Sequence, residues 1–254
     1  MEAIQSFLTL FALAGLRYLP VLVLPAFSPL AWAPMTVRIV VMLALAWLTV
    51  LALPDASGFS SSGTQLVLAV CSELLVGGVF GLAFLLPKAA LHSAGWLVDM
   101  QAGLGAATLF NPSADTGAES LFGHALMLAL TVLFFLLDLH LLLFRAMAAS
   151  TQWLPLGGGG VRLSVDAFLR MLGTSFVAGL MVVAPVVIGL FCVDLGVGYA
   201  SRSMPQANVY FLALPMKIAV AIGLLALSLA YAPTLMGRLF RQAADQVPSV
   251  LGGP

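Results

Sequence analysis

Arg17, Glu73, Lys88, Asp99, Asp138, Asp194 and Lys217 lie inside, or at the edges of, strongly apolar stretches of this chain. A charged side chain at the centre of a lipid bilayer costs at least ~2.5–3.5 kcal/mol. Each of these groups therefore demands an opposite charge, a water-filled cavity or a neighbouring subunit. Lys88 and Asp194 fall near segment ends, where an interfacial position is the alternative. Glu73 and Lys217 are more interior. A Glu–Lys or Glu–Arg pair inside the apolar region is expected, and the sequence does not select the partners.

Histidine adds proton chemistry to the same stretches. His124 and His140 share one segment with Asp138, but Asp138 and His140 are two residues apart and point to different sides of a helix. His92 lies seven residues before Asp99, which places the two on one helical face. A proton-sensitive role stays open for these groups, and metal binding is not expected. The chain carries no H-E-x-x-H, no G-x-S-x-G and no G-x-G-D. The run Gly157–Gly160 lacks the Lys-Ser/Thr ending of a phosphate loop. Neither an enzyme nor a bound cofactor is expected.

The elements that carry these residues are built for lipid. Hydrophobic residues make up 62% of the 254 and charged residues only 8%, against about 25% charged in a soluble domain. The formal net charge of zero gives no sign of nucleic-acid binding. A membrane crossing needs roughly 20 apolar residues. About seven stretches qualify: Ile4–Leu30, Met35–Leu53, Gln65–Leu86, Ala89–Leu109, Leu121–Phe144, Leu169–Val193 and Val209–Ala232. The expectation is one all-helical, integral-membrane domain over residues 1–254, with a short cytoplasmic tail from about 238. Met1–Glu2–Ala3 lacks the basic start of a cleavable signal. Cys71 and Cys192 sit in apolar segments, where a buried thiol is the default.

Orientation follows the basic residues. Arg38, Lys88, Arg145, Arg162, Arg170, Arg238 and Arg241 fall on one side if the spans alternate. Asp55, Asp115, Glu119 and Asp194 fall on the other, with Arg202 the exception. That pattern predicts a cytoplasmic C-terminus.

Prolines interrupt the apolar segments as well as the loops, among them Pro20, Pro25, Pro87, Pro185, Pro205 and Pro215. Each interior proline removes a helix hydrogen bond, and in lipid the freed carbonyl needs another partner. Gly77, Gly78, Gly81, Gly103, Gly105, Gly196 and Gly198 permit close backbone approach, although Gly and Pro are common in membrane helices generally. The stretch Phe110–Ser120 holds a turn signal at Asn111–Pro112 and at Gly117, together with two acids.

The order of these features resembles the FliR/SctT family of type III export-apparatus proteins. R-x-x-P at Arg17–Pro20 is followed by P-x-x-V-R at Pro34–Arg38 and by E-L-L-V-G-G-V-F-G-L at Glu73–Leu82. The most specific block is A-G-W-L-V-D-M-Q-A-G-L-G-A-A at Ala94–Ala107, leading into Asn111–Pro112. D-L-H at Asp138–His140, W-L-P-L-G at Trp153–Gly157 and A-P-V-V at Ala184–Val187 follow. The last block runs from Asp194 to Tyr210 and reads D-L-G-V-G-Y-A-S-R-S-M-P-Q-A-N-V-Y.

The resemblance implies a non-enzymatic, channel-forming subunit of the bacterial inner membrane, within a flagellar basal body or an injectisome base. It implies kinked, broken helices and helical hairpins packed in a helical hetero-oligomer with FliP-like and FliQ-like subunits, beside an FlhB-like switch protein. Unfolded export substrates would pass through that assembly. Much of it is expected to stand raised on the periplasmic side, so the basic-residue pattern speaks more for the C-terminus than for each loop. The family's plug maps onto Leu109–Ser120: Leu109, Phe110, Asn111, Pro112, Ser113, Ala114, Asp115, Thr116, Gly117 and on to Ser120. Gln101, Gly103 and Gly105 would shape its approach. An ordinary periplasmic turn is the plain alternative for that stretch.

Flagellar members usually show G-F-P where this chain has A-L-P-M-K at Ala213–Lys217, while P-Q-x-N at Pro205–Asn208 leans flagellar. The rival function is an ion-coupled secondary transporter of a small substrate, which also uses broken helices and midplane charges. Such a transporter predicts internal symmetry between halves, and no repeat is evident.

Overall fold

The computed structural model describes residues 2–25, 28–30, 32–53, 63–104, 120–158, 161–204 and 208–252. All regular structure among them is helical. The helices are α1 (Glu2–Leu22), α2 (Met35–Leu51), α3 (Gly63–Ala102), α4 (Leu121–Leu136), α5 (Leu139–Trp153), α6 (Val165–Ser203), α7 (Val209–Leu229) and α8 (Ala232–Val250). The chain is an all-α membrane protein.

The expectation of about seven separate spans needs correction. Among the described residues, four helices are long and apolar enough to cross a membrane, or up to five if the bent pair α4–α5 counts as one span. Two of the expected segments, Gln65–Leu86 and Ala89–Leu109, are a single 40-residue helix through Ala102. Pro87 and the polar groups around it do not end that helix, which continues through the proline despite the amide bond lost there. Conversely, α1 stops at Leu22, ahead of Pro25. The 40 residues of α3 are about twice the roughly 20 that a membrane crossing needs.

Another apolar segment is broken where continuity was expected. Asp138 takes a left-handed backbone, φ 53°, between α4 and α5. Asp is one of the few residues that visit this region at modest cost. The helix restarts at once, with the Asp138 carbonyl accepting from the amides of Leu141 and Leu142.

The chain divides into two compact units. The first comprises Met1–Leu86, Asp138–Leu172 and Phe240–Pro254, and the second Pro87–Leu137 and Gly173–Leu239. The core of the first includes Leu13, Tyr18, Leu22, Phe80, Leu143 and Met147. Helices α1 and α2 meet through edge-on rings, with Trp47 lying 5.1 Å from Phe7 and 6.0 Å from Phe11. A hydroxyl contact of 2.9 Å joins Tyr18 and Thr49. The stretch expected as a tail from about 238 belongs to α8, which buries Phe240, Ala243, Val247 and Val250.

In the second unit, α3 and α4 touch backbone to backbone, since a β-carbon on Gly95 would collide with Gly123. Cys71 and Cys192 are free thiols on exposed helix faces, not buried ones.

Candidate functional site

The first unit holds a buried ion pair joining three helices. Arg17 of α1 is 1% exposed and Glu73 of α3 is also 1% exposed. Arg17 Nε donates to Glu73 Oε2 at 2.5 Å and Nη2 donates to Oε1 at 3.1 Å. Such two-point pairing fixes direction as well as charge. Nη1 donates to Ser150 Oγ of α5 at 3.0 Å, and Nη2 also reaches the Leu154 carbonyl at 3.0 Å.

The chain leaving α5 turns at Pro155, which lacks an amide proton and suits a helix exit. Gly157 there adopts a positive φ of 75°, and its amide donates to Glu73 Oε1 at 2.9 Å. Helix α1 comes close enough because position 77 is glycine: any β-carbon there would strike the Arg17 carbonyl.

The second unit places polar groups at two levels. Lys217 of α7 is 4% exposed, and its ammonium lies 2.7 Å from the Asp194 carboxylate of α6. Asp194 is 38% exposed at its side chain, so this pair is open on one side. At the end of α3, Asp99 is buried and bonds to Ser120 and to the Phe122 amide. Gln101 donates from Nε2 to the Val187 carbonyl at 3.2 Å, and its Oε1 is buried without a partner among the described residues.

Helix α3 ends in a Schellman turn. The amide of Gly103 bonds the Met100 carbonyl at 3.2 Å and that of Leu104 bonds the Asp99 carbonyl at 3.0 Å. Gly103 supplies the left-handed residue such a turn needs, at φ 83°. A side chain there would also meet Leu214.

The family model described as "Bacterial export proteins, family 1" matches residues 8–243. This chain belongs to that family.

Among relatives, it is 29% identical over 194 residues to a flagellar biosynthetic protein FliR of Pectobacterium carotovorum subsp. carotovorum, covering 76% of this chain and 73% of the relative. It is 30% identical over 190 residues to FliR of Bacillus subtilis, covering 73% of each. It is 32% identical over 159 residues to Yop proteins translocation protein T of Yersinia pestis, covering 61% of this chain and 60% of the relative. This export protein is therefore a type III secretion component of the FliR/SctT kind.

Of the charges expected to be buried in this export protein, Arg17, Glu73, Asp99 and Lys217 are. Lys88 is half-buried, with no ion pair among the described residues. Asp138 is exposed, a correction whose cause is its place in the helix break, and it makes no capping bond. Gly105 and Leu109–Gly117 lie outside the described residues. Gly78, Gly196 and Gly198 have open space where a β-carbon would stand, so they make no close approach within this chain. Ser150 and Gly157 were missed. The W-L-P-L-G motif pointed to the turn but not to the pair it contacts. Among the described residues there is no group of three or more metal-ligating side chains.

Proposed function

We propose that this chain is a structural, channel-forming subunit of a type III export gate in the bacterial inner membrane. It assembles with FliP-like and FliQ-like subunits, beside an FlhB-like switch protein. Unfolded flagellar or virulence substrates then cross through the assembly, and the segment Leu109–Ser120 serves as the plug. The chain performs no catalysis and needs no cofactor; its work is to shape a passage.

The observation that carries this reading lies on α6 and α7. Only 28% of the most apolar window of each is buried within the chain, against 50% for α3. Their outer faces bear the exposed prolines Pro185 and Pro215. A helix proline leaves the carbonyl four residues earlier without its amide partner. Hydrocarbon offers no donor to replace it, whereas a neighbouring polypeptide or water does. Apolar faces with such breaks fit protein neighbours around an aqueous passage better than they fit lipid.

The test is copurification. A tagged chain expressed with its genomic neighbours should bring down FliP-like and FliQ-like subunits in fixed ratio. A chain that purifies alone, monodisperse and without them would reject the reading.

A further inference from the structure

His92 of α3 and His124 of α4 are both exposed, and their rings meet edge to face with centres 5.9 Å apart. The chain has three histidines, and the remaining one, His140 of α5, is half-buried. In sequence the two exposed histidines belong to separate apolar stretches, and only the packing of α3 on α4 joins them.

Three features hold this pair ready for a ligand. The backbones beneath it are fixed against each other, because a β-carbon on Gly95 would collide with Gly123. His124 Nδ1 lies 2.8 Å from the Ser120 carbonyl. A carbonyl only accepts, so Nδ1 carries the proton and the lone pair of the neutral ring is on Nε2. Metal-ligating histidines are held in this way, with the second nitrogen donating to a carbonyl or carboxylate. On the other ring, His92 Nδ1 stands over Gly123, 3.1 Å from where a β-carbon would be. His92 thus leans across the glycine towards His124. Two imidazoles bound to one metal at ~2.0–2.1 Å have their ring centres about 5–6 Å apart, and the observed separation falls in that range.

We propose that His92 and His124 form a binding site for a divalent transition metal, bound through Nε2 of each ring, which clips α3 to the start of α4. Imidazole nitrogen suits zinc, nickel and copper, whereas magnesium and calcium take oxygen ligands. Two protein ligands leave positions open for water or for a side chain of a neighbouring subunit. Shaping a passage needs no metal, so the site is a reversible clip added to the export role and independent of it.

The test adds zinc to the chelator-treated full-length chain, purified without a histidine tag together with the subunits that accompany it. Calorimetry reads zinc binding, and amide exchange is followed over residues 121–126. At zinc ten times its dissociation constant, exchange should slow about tenfold, because an opening that breaks the site must first release the metal. His92→Ala and His124→Ala should each abolish both readings. His140→Ala should leave both intact, and magnesium in place of zinc should give neither. Should an alanine variant fail to accumulate, His92→Gln or His124→Gln takes its place, both positions being exposed. Absence of zinc binding overturns the proposal, as does bound zinc with unchanged exchange. Readings that survive either the His92 or the His124 variant overturn it too, since the metal then sits elsewhere.

Discussion

Arg17 and Glu73 satisfy one another almost completely although both are shut away from water. The guanidinium spends its bonds on two carboxylate oxygens, the Ser150 hydroxyl and the Leu154 carbonyl. The carboxylate additionally takes the Gly157 amide. A pair this enclosed is a clasp between α1, α3 and the turn after α5, and it offers no free site to a transported ion.

Removing one member of the clasp should therefore be severe. Arg17→Ala or Glu73→Ala leaves a buried charge unpaired, at a cost of about 3–5 kcal/mol. The double variant should lose less than the sum of the two. Arg17→Lys should also weaken the protein, because an ammonium cannot make the two-point contact. Melting of the detergent-solubilised assembly and steady-state abundance measure both effects.

Neighbouring glycines should behave differently. Gly77→Ala forces α1 and α3 apart and should cost about 1–3 kcal/mol. Gly78→Ala meets open space within this chain and should not lower its own stability. It should raise it by up to about 1 kcal/mol, the advantage of alanine over glycine inside a helix. Any effect of Gly78→Ala confined to the assembled complex would locate a partner at that face.

The Lys217–Asp194 pair should respond asymmetrically. Asp194→Ala strands an ammonium that is 5% exposed at its side chain, whereas Lys217→Met leaves a carboxylate 38% open to its surroundings. The first should destabilise by about 2–3 kcal/mol and the second by less than about 1 kcal/mol. Thermal shifts of the two single variants decide it, and equal losses would contradict the geometry.

Asp138 should matter for its backbone and not for its charge. Asp138→Asn keeps tolerance of the left-handed conformation and should be near neutral. Asp138→Val should cost about 1–2 kcal/mol. Export assays paired with melting curves would separate this from a proton-relay role, in which the Asn variant loses export at normal stability.

Much of this was legible in residue types, and the failures have physical causes. Arg17 and Glu73 stood out because charges in apolar runs must be paired. Their pairing did not, since 56 residues separate them and several cations were available. The span count went wrong at Pro87, through which the helix continues, and at Asp138, where a single left-handed residue breaks one. The L-D-L spelling did carry that second signal, because Asp tolerates a left-handed backbone and flanking leucines do not. Glycine positions alone could not separate Gly77, which meets Arg17, from Gly78, one residue on. Gly103 was read only as allowing close backbone approach and as shaping the way into the next segment, within a stretch expected to run on to Leu109. Its left-handed φ of 83° instead ends α3 at Ala102.

The central claim is that the outer faces of α6 and α7 meet other polypeptides. Photocrosslinking from Ile222, an exposed position of α7, tests it in native membranes. The account predicts a discrete product joining this chain to a neighbouring export-apparatus subunit. Adducts with lipid alone, in cells that export normally, would contradict it.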